Sequence, residues 1–350
     1  MKILIIALSG IGDALMFTPA LQILKEKFPD SEIDAMVMFK GVADLYEKLP
    51  EINRIHFHDF LNSSPLKSFR FVSALRNKYD VSFNVYPSNR WEYNVIAFIA
   101  GAKRRFAIRY LRRGARNLSF INTDVIKEND YLHNVEENVK MVERLTGSAI
   151  EDIHALKFPI GAEEREKAKE FFSKNNLSEK DYIVGFHPGC STLKNHINRR
   201  WEPEKFAELA RKLIYKEHAK ILIFGGPEED ELKRDIQHRV EVEDIVDVST
   251  RNLAETAAIM ERCDKFVTND SGLMHIAAAL KLKVVAIIGP TNENYIRPWK
   301  TTHRIVSLNL ACAPCFYYSP KPLKCSRDDK KFKCIKNLDV TQVYNALMNV

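Results

Sequence analysis

Five short stretches of this chain hold groups that could do chemistry. The first is Asn269-Asp270-Ser271-Gly272-Leu273-Met274-His275, a polar turn between two apolar runs. Backbone N–H groups of Ser271, Gly272 and Leu273 at a helix N-terminus would suit an anion, because the helix dipole favours negative charge there. Residues 270–275 therefore read as a phosphate or pyrophosphate seat, or else as a plain helix cap by Asn269 or Asp270. The second stretch, His187-Pro188-Gly189-Cys190-Ser191-Thr192, leads through Lys194 to Arg199 and Arg200 ahead of Trp201. Hydroxyls and backbone N–H groups there could hold a diphosphate while the cations neutralise it; the plainer reading is a solvated basic loop. Third, Gly225-Gly226 precedes Glu228 and Glu229. A carboxylate there could accept from ribose or sugar hydroxyls, or simply favour a first helical turn. Fourth, Asp13 follows Gly10-Ile11-Gly12, two glycines that permit a tight turn. It could take a proton from a hydroxyl nucleophile, or cap a helix. Fifth, Cys312, Cys315, Cys325 and Cys334 are spaced C-x2-C-x9-C-x8-C. That suits a structural zinc site, a disulfide pair or buried thiols.

These residues need a scaffold, and the hydrophobic pattern supplies one. Residues 3–8, 33–39, 81–85, 182–186, 220–224, 245–248, 265–267 and 284–288 are short apolar runs separated by helical segments, the signature of βαβ units with a parallel sheet. Helices are expected over 14–28, with regular structure from Thr18 or a kink because of Pro19, and over 69–76, 131–145, 203–215, 229–240, 253–262 and 340–348. Residues 95–100 read as helix or strand. His133, Glu136, Glu137 and Asn138 are expected on the polar side of their helix. The motifs fall at strand C-terminal ends, where open α/β sheets bind ligands. The expected architecture is α/β with two Rossmann-like domains facing a central cleft. The expected division is 1–160, a connection over 161–180, 181–335 with the cysteine-bearing tail, and a C-terminal helix over 336–350 packing back across both domains.

The chain has 350 residues, 45% hydrophobic and 28% charged, which is ordinary for a globular protein. Its net charge is +7, and residues 101–116 hold seven Lys or Arg and no acid. A basic run suits an anionic partner or a solvated face. Nucleic acid is not expected, since no nucleic-acid motif is present. There is no secretory signal pattern and no apolar run of membrane-spanning length, so a cytoplasmic protein is expected. Gly10-Ile11-Gly12 also invites a dinucleotide-binding reading, which would make the chain an oxidoreductase. Leu15-Met16-Phe17 stands where the third glycine would be, and this argues against it.

Four segments, GIGDALMFTPALQILKEKFPDSEID, FHPGCSTLKNHINRRWEPEKFAELARKL, ILIFGGPEEDE and FVTNDSGLMHIAAALKLKVVAIIGPT, resemble in type and order those of glycosyltransferase family 9, the ADP-heptose:lipopolysaccharide heptosyltransferases. The tail CAPCFYYSP adds to the likeness, which covers nearly the whole chain. The resemblance implies a GT-B type fold and a metal-independent inverting transfer; no DxD metal motif occurs in the sequence. It implies Asp13 as the base, with Gly12 at the acceptor. It implies a nucleotide-sugar site in the second domain built from Ser191, Thr192, Lys194, Arg199, Arg200, Glu229, Asp270, Ser271, Gly272, Leu273 and His275. The family typically has a lysine before the Trp where Arg200 stands. The donor would be ADP-heptose. The acceptor would be an anionic lipid-linked glycan met by Arg104, Arg105, Arg112 and Arg113, with the protein peripheral at the inner face of the cytoplasmic membrane. Other nucleotide sugars, or a non-catalytic sugar-nucleotide binder, would share the same fold.

Overall fold

The computed structural model describes every residue except Arg113, Glu243, Ser319 and Pro320. The chain forms two compact units. Met1–Pro159 is joined by Tyr318 from the tail; Ile160–Tyr317 and the remainder of the tail make the second.

The first unit begins with β1 (Lys2–Ala7), buried from Ile3 onward. Parallel strands covered on both faces need such unbroken apolar runs. A short helix α1 (Ile11–Met16) follows, then α2 (Thr18–Lys27) with Pro19 in its first turn. The proline thus sets the start of the long helix, as expected. The segment Gly10-Ile11-Gly12-Asp13 is not a tight glycine turn: Gly10 has φ −71° and Asp13 lies inside the first turn of α1. Next come β2 (Glu32–Val37), α3 (Lys40–Glu47), β3 (Arg54–Phe57), α4 (Pro65–Ser73), β4 (Val81–Asn84) and α5 (Trp91–Ala100). The ambiguous stretch 95–100 is thus helical; Asn94, Ala97 and Ala100, three apart, face inward. The unit closes with β5 (Arg104–Arg109), β6 (Asp124–Lys127) and α6 (Asn134–Thr146). Strand β5 lies within the basic run, where flanking arginines hid a buried Phe106-Ala107-Ile108 centre. His133 caps α6 and Glu136 completes the capping box. The polar side expected of this helix is in fact buried: His133, Glu137 and Asn138 are each 0% exposed. Burial raises the Glu137 carboxyl to about 7, opposed by the N–H of Asn129, which donates to it. The strands are parallel, in the order β3-β2-β1-β4-β5-β6.

The second unit contains α7 (Ala162–Lys174), β7 (Ile183–His187), α8 (Pro203–Glu217), β8 (Lys220–Phe224), α9 (Asp230–Val240), β9 (Ile245–Val248), α10 (Leu253–Met260), β10 (Lys265–Asn269), α11 (Gly272–Ala279), β11 (Lys283–Ile287), α12 (Glu293–Ile296), β12 (His303–Val306), α13 (Lys333–Lys336) and α14 (Val340–Met348). Its parallel order is β12-β11-β10-β7-β8-β9, the same topology as the first sheet. In both sheets the first strand lies beside the fourth, where successive connections turn in opposite directions and ligands bind. Helix α7 packs on α10, tied by Arg165–Glu261 and Lys167–Glu255 ion pairs. Strand β12 escapes sequence reading because His303-Arg304 interrupts its apolar character. Helix α14 packs within the second unit. Val340, Val343 and Leu347 bury into the second unit's core with Trp201, Phe206 and Val285.

Gly185, in the middle of β7, shows how tightly this core is packed. A Cβ there would lie 2.5 Å from the Phe266 ring, itself 0% exposed. Gly185→Val should therefore destabilise the second unit by about 1–3 kcal/mol, the usual cost of overpacking. A fall in its urea midpoint is the expected result; an unchanged midpoint would show that Phe266 can move aside.

Candidate active site

In the first unit, Asp13 sits just beyond β1, at the β1/β4 switch point, and is half-buried. Three tyrosines build its surroundings. Tyr46 donates to the Ala14 carbonyl at 3.0 Å, and Tyr93 donates to the Leu8 carbonyl at 2.9 Å. The Tyr110 hydroxyl accepts the Ser88 N–H from the loop after β4. Ser9 donates to the Pro87 carbonyl at 2.7 Å, joining the same two loops. Burial pushes all three phenols up, Tyr93 to about 12, and the charge of Asp13 adds to each shift. The tyrosines thus stay protonated and line a low-dielectric wall beside one carboxylate. A Cβ on Gly10, three residues before Asp13, would meet nothing within 4 Å, so the start of this loop borders open space. A carboxylate in such a setting can accept a proton from a bound hydroxyl.

The basic stretch is used differently from the sequence expectation. Arg104 pairs with Asp124 at 2.7 Å and lies over the Phe106 ring. Arg105 donates to the carbonyls of Ala102 and Ile121. Both residues open β5, Arg104 in register with Val81 and Arg105 with Ser82, and through these with Ile3 and Leu4 at the start of β1. At roughly 3.3 Å per residue they lie on the order of 15 Å along the strands from the loop of Asp13. Their expected acceptor role is therefore not supported. Arg112 follows the end of β5, on the correct side, and is paired with Asp130. Arg113 lies outside the described residues. Arg90, in the loop after β4 and paired with Glu92 at 3.1 Å, was missed; its position just after a strand end was the signal.

In the second unit the loops after β7, β8, β10 and β11 converge. The Asn269 amide ties the end of β10 to the segment after β7: its Oδ1 accepts the Trp201 N–H at 3.0 Å and its Nδ2 donates to the Pro188 carbonyl at 2.7 Å. Trp201 is 0% exposed and its indole donates to Leu338. The buried indole fixes where Arg199 and Arg200 leave the fold. Arg199 pairs with Asp270, whose Oδ2 also accepts from Thr291 at 2.7 Å. Arg200 donates to Glu229 at 3.1 Å and to the Cys190 carbonyl at 2.8 Å. His187 bridges Ser271 at 2.8 Å and Glu229 at 3.1 Å. Burial works to raise the Glu229 carboxyl, but the His187 hydrogen bond and the charges of His187 and Arg200 hold it below its usual range. Glu229 thus lies buried inside the network rather than on a surface helix start; Glu228 is the exposed one. A Cβ on Gly189 would lie 1.6 Å from Glu229 Oε1, so only glycine fits against this carboxylate.

Several buried nitrogens here have no partner among the described residues: Arg199 Nε, Arg200 Nε, His196 Nε2 and His275 Nδ1. Burial lowers His275 and His196 to about 4, with the Arg199 charge adding at His196, so both imidazoles are neutral at pH 7. Buried donors left without partners are costly, and an anion that accepts from them would recover that cost. Ser271 caps α11, whose first residues are Gly272 and Leu273. Ser191 and Thr192 are exposed, and Lys194 belongs to a left-handed pair with Asn195. Sequence reading had His187 and Asn269 in its motifs but gave them no binding role, and it missed Thr291 and Phe316; the last lies 5.7 Å from the Arg199 guanidinium. Thr291 directly follows Gly289-Pro290 beyond a strand, which was its signal. Phe316 had none.

Of the three readings of Cys312, Cys315, Cys325 and Cys334, the structure shows free thiols. Among the described residues no group of three or more His, Cys, Asp or Glu could hold a metal ion. The Cys312 sulfur faces the Arg327 guanidinium at 3.6 Å and Cys325 accepts the Phe332 N–H at 3.3 Å. Burial, and then the neighbouring Cys315, Cys325 and Cys312, raise the Cys334 thiol to about 11.

The family model described as glycosyltransferase family 9 (heptosyltransferase) matches residues 68–325. This chain belongs to glycosyltransferase family 9. It is a glycosyltransferase with the GT-B fold. It is 29% identical to lipooligosaccharide heptosyltransferase 2 of Campylobacter jejuni subsp. jejuni serotype O:2, over 100% of this chain and 98% of that one. It is 28% identical to lipopolysaccharide heptosyltransferase 2 of Escherichia coli K12, over 88% of each. The solved E. coli ADP-heptose lps heptosyltransferase II is similar in fold, with TM-score 0.76 at 22% identity over 100% of this chain and 98% of that one. No helix among the described residues is long and apolar enough to cross a membrane.

Two outcomes follow for this family 9 enzyme. Asn269→Leu leaves the Trp201 N–H and the Pro188 carbonyl unpaired and should cost about 2–5 kcal/mol; chemical denaturation of the variant checks this. His196 and His275 bind protons in the unfolded chain near their ordinary 6.5 and in the fold only near 4. Stability is therefore unaffected above that ordinary value and falls as pH drops from 6.5 towards 4. Urea midpoints at pH 7.5 and 5 should differ in the parent and differ less in His275→Gln; equal differences would assign the acid loss elsewhere.

Proposed function

We propose that this enzyme is a metal-independent inverting heptosyltransferase, moving a heptose from ADP-heptose to an anionic, lipid-linked inner-core lipopolysaccharide acceptor at the inner face of the cytoplasmic membrane. In this reading the first unit binds acceptor and the second binds donor. Asp13 takes the proton of the acceptor hydroxyl. The freed oxygen forms a bond to the anomeric carbon from the face opposite the diphosphate. The bond to the diphosphate oxygen breaks, ADP leaves with the electron pair, and the configuration inverts. Negative charge growing on the leaving diphosphate is met by Arg199, Arg200 and the backbone N–H groups at residues 271–273. Preorganised donors of this kind are often the largest single contribution to rate. Asp270 and Glu229 hold these cations in place, Glu229 through Arg200 and His187. Gly12, Arg90 and Arg112 lie at the acceptor end.

The observation that carries this reading is the cluster of buried, partnerless nitrogens on Arg199, Arg200, His196 and His275. They surround the loop after β10, where a leaving diphosphate needs them. The names of the relatives support the choice of heptose.

Calorimetry with ADP-heptose, ADP, UDP-glucose and NAD tests the donor. Binding of ADP-heptose, with ADP weaker and the others absent, is the expected result; a preference for UDP-glucose or NAD overturns it. Asp13→Asn should lower turnover by about 10²–10⁴-fold while leaving ADP-heptose affinity within twofold. Full turnover in that variant would remove Asp13 from the mechanism.

A further inference from the structure

Helices α4 and α5 of the first unit leave a groove of about 410 Å³ between them. Its walls include Met38, Val72, Ile96 and Ile99, and its rim carries Leu61, Phe69 and Trp91. The rim residues are large and open to solvent: Leu61 is 57% exposed, Phe69 54% and Trp91 48%. Leu66 and Phe98 extend the apolar surface along the same two helices, 59% and 54% exposed. Single exposed apolar residues are ordinary; a continuous patch opening into an apolar groove marks a binding surface.

The charges around it say what kind. Residues 60–79 contain Lys67, Arg70, Arg76 and Lys78 and no acid. Lys67 and Arg70 project from α4 itself, and the Arg105 guanidinium lies 5.6 Å over the Phe98 ring. Residues 60–110 hold nine Lys or Arg against two acids, an excess equal to the whole chain's +7. Aromatic and aliphatic side chains mixed with cations, on helices lying side by side, match the interface of an anionic bilayer. Acyl chains take the apolar groups while headgroup phosphates take the cations.

We propose that the α4–α5 face docks on an anionic phospholipid bilayer, with a lipid acyl chain entering the groove. Tyr93 lines the groove and also donates to the Leu8 carbonyl in the loop leading to Asp13. Docking at this face would bring Asp13 to the plane from which a lipid-linked sugar projects. That consequence rests on the acceptor being lipid-linked, whereas the docking itself does not.

The test uses the full chain and vesicles of phosphatidylethanolamine with phosphatidylglycerol, compared with phosphatidylcholine alone. Flotation at 0.1 M salt should recover the parent with the anionic vesicles only. Phe69→Ser with Leu61→Ser, and separately Lys67→Glu with Arg70→Glu, should each lower the bound fraction at least tenfold at equal thermal stability. Trp201 and Trp299 are buried, 0% and 9% exposed, so Trp91 is the exposed indole. Lipids brominated on their acyl chains should quench it, and Trp91→Phe should remove that quenching. Equal binding by parent and variants, or no binding to anionic vesicles, overturns the proposal. So does a dimer that the Phe69 and Leu61 substitutions dissociate with vesicle binding unchanged, which would make this face a subunit interface. Vesicle binding needs no turnover, so failure of the donor or acceptor assignment leaves this result standing.

Discussion

The second unit's site hangs on a single buried amide. Asn269, at the last position of β10, spends one side-chain atom on the Trp201 N–H and another on the Pro188 carbonyl. Its orientation is dictated by its partners: one can only donate and the other can only accept. Both ends of the segment from Pro188 to Trp201 are thereby locked to one strand end. The arginine pair emerges next to the locked Trp201, and the His187–Glu229 contact sits one residue before the locked Pro188. The burial of Trp201 makes this arrangement rigid, since a buried indole leaves little room for alternative packing. Charge placement in this site is thus a consequence of backbone anchoring, not of long flexible side chains finding each other.

Two carboxylates and two guanidiniums in one buried place would be an expensive arrangement as isolated charges. The pairs Arg199–Asp270 and Arg200–Glu229 make it nearly neutral, yet each guanidinium keeps an Nε–H without a partner. Empty hydrogen-bonding capacity, not a net positive charge, is what this site offers a ligand. In the first unit Asp13 faces protonated tyrosines, with Arg90 and Glu92 beside Tyr93 and Glu128 beside Tyr110. The two sheets share one topology and set different groups at the same switch point.

The fold was largely legible because buried parallel strands are continuous apolar runs. β8, β9 and α14 were found at their observed bounds, and the Pro19 start of α2 followed from the chemistry of proline. β3, β5, β6 and β12 were not found; in β5 arginines flank three buried residues, and β12 buries only Val306 behind His303-Arg304. The polar residues of α6 misled in the other direction: His133, Glu137 and Asn138 look solvent-facing by type but are buried, engaging a cap, the Asn129 N–H through one Glu137 oxygen, and the Tyr86 backbone. The placement of Asp13 after β1 and of Asp270 after β10 was legible because both follow apolar strand runs. The site was not legible where it depends on contacts across long sequence distances, as with Phe316 beside Arg199 or the tyrosines around Asp13. Charge-run reasoning failed for Arg104 and Arg105, since strand register, invisible in composition, puts them at the far edge.

Tyr318 belongs to the first unit although the 158 residues from Ile160 to Tyr317 belong to the second. It receives a hydrogen bond from Asn134 at 2.6 Å and packs edge-on against Tyr86. The first half of the chain therefore leaves the ribosome without one of its own aromatic neighbours. At roughly 5–20 residues per second, that gap lasts on the order of ten to thirty seconds. Through that interval Tyr86 and the head of α6 stand uncovered in the nascent chain. The last stage of maturation is then the return of the tail to a half made long before it.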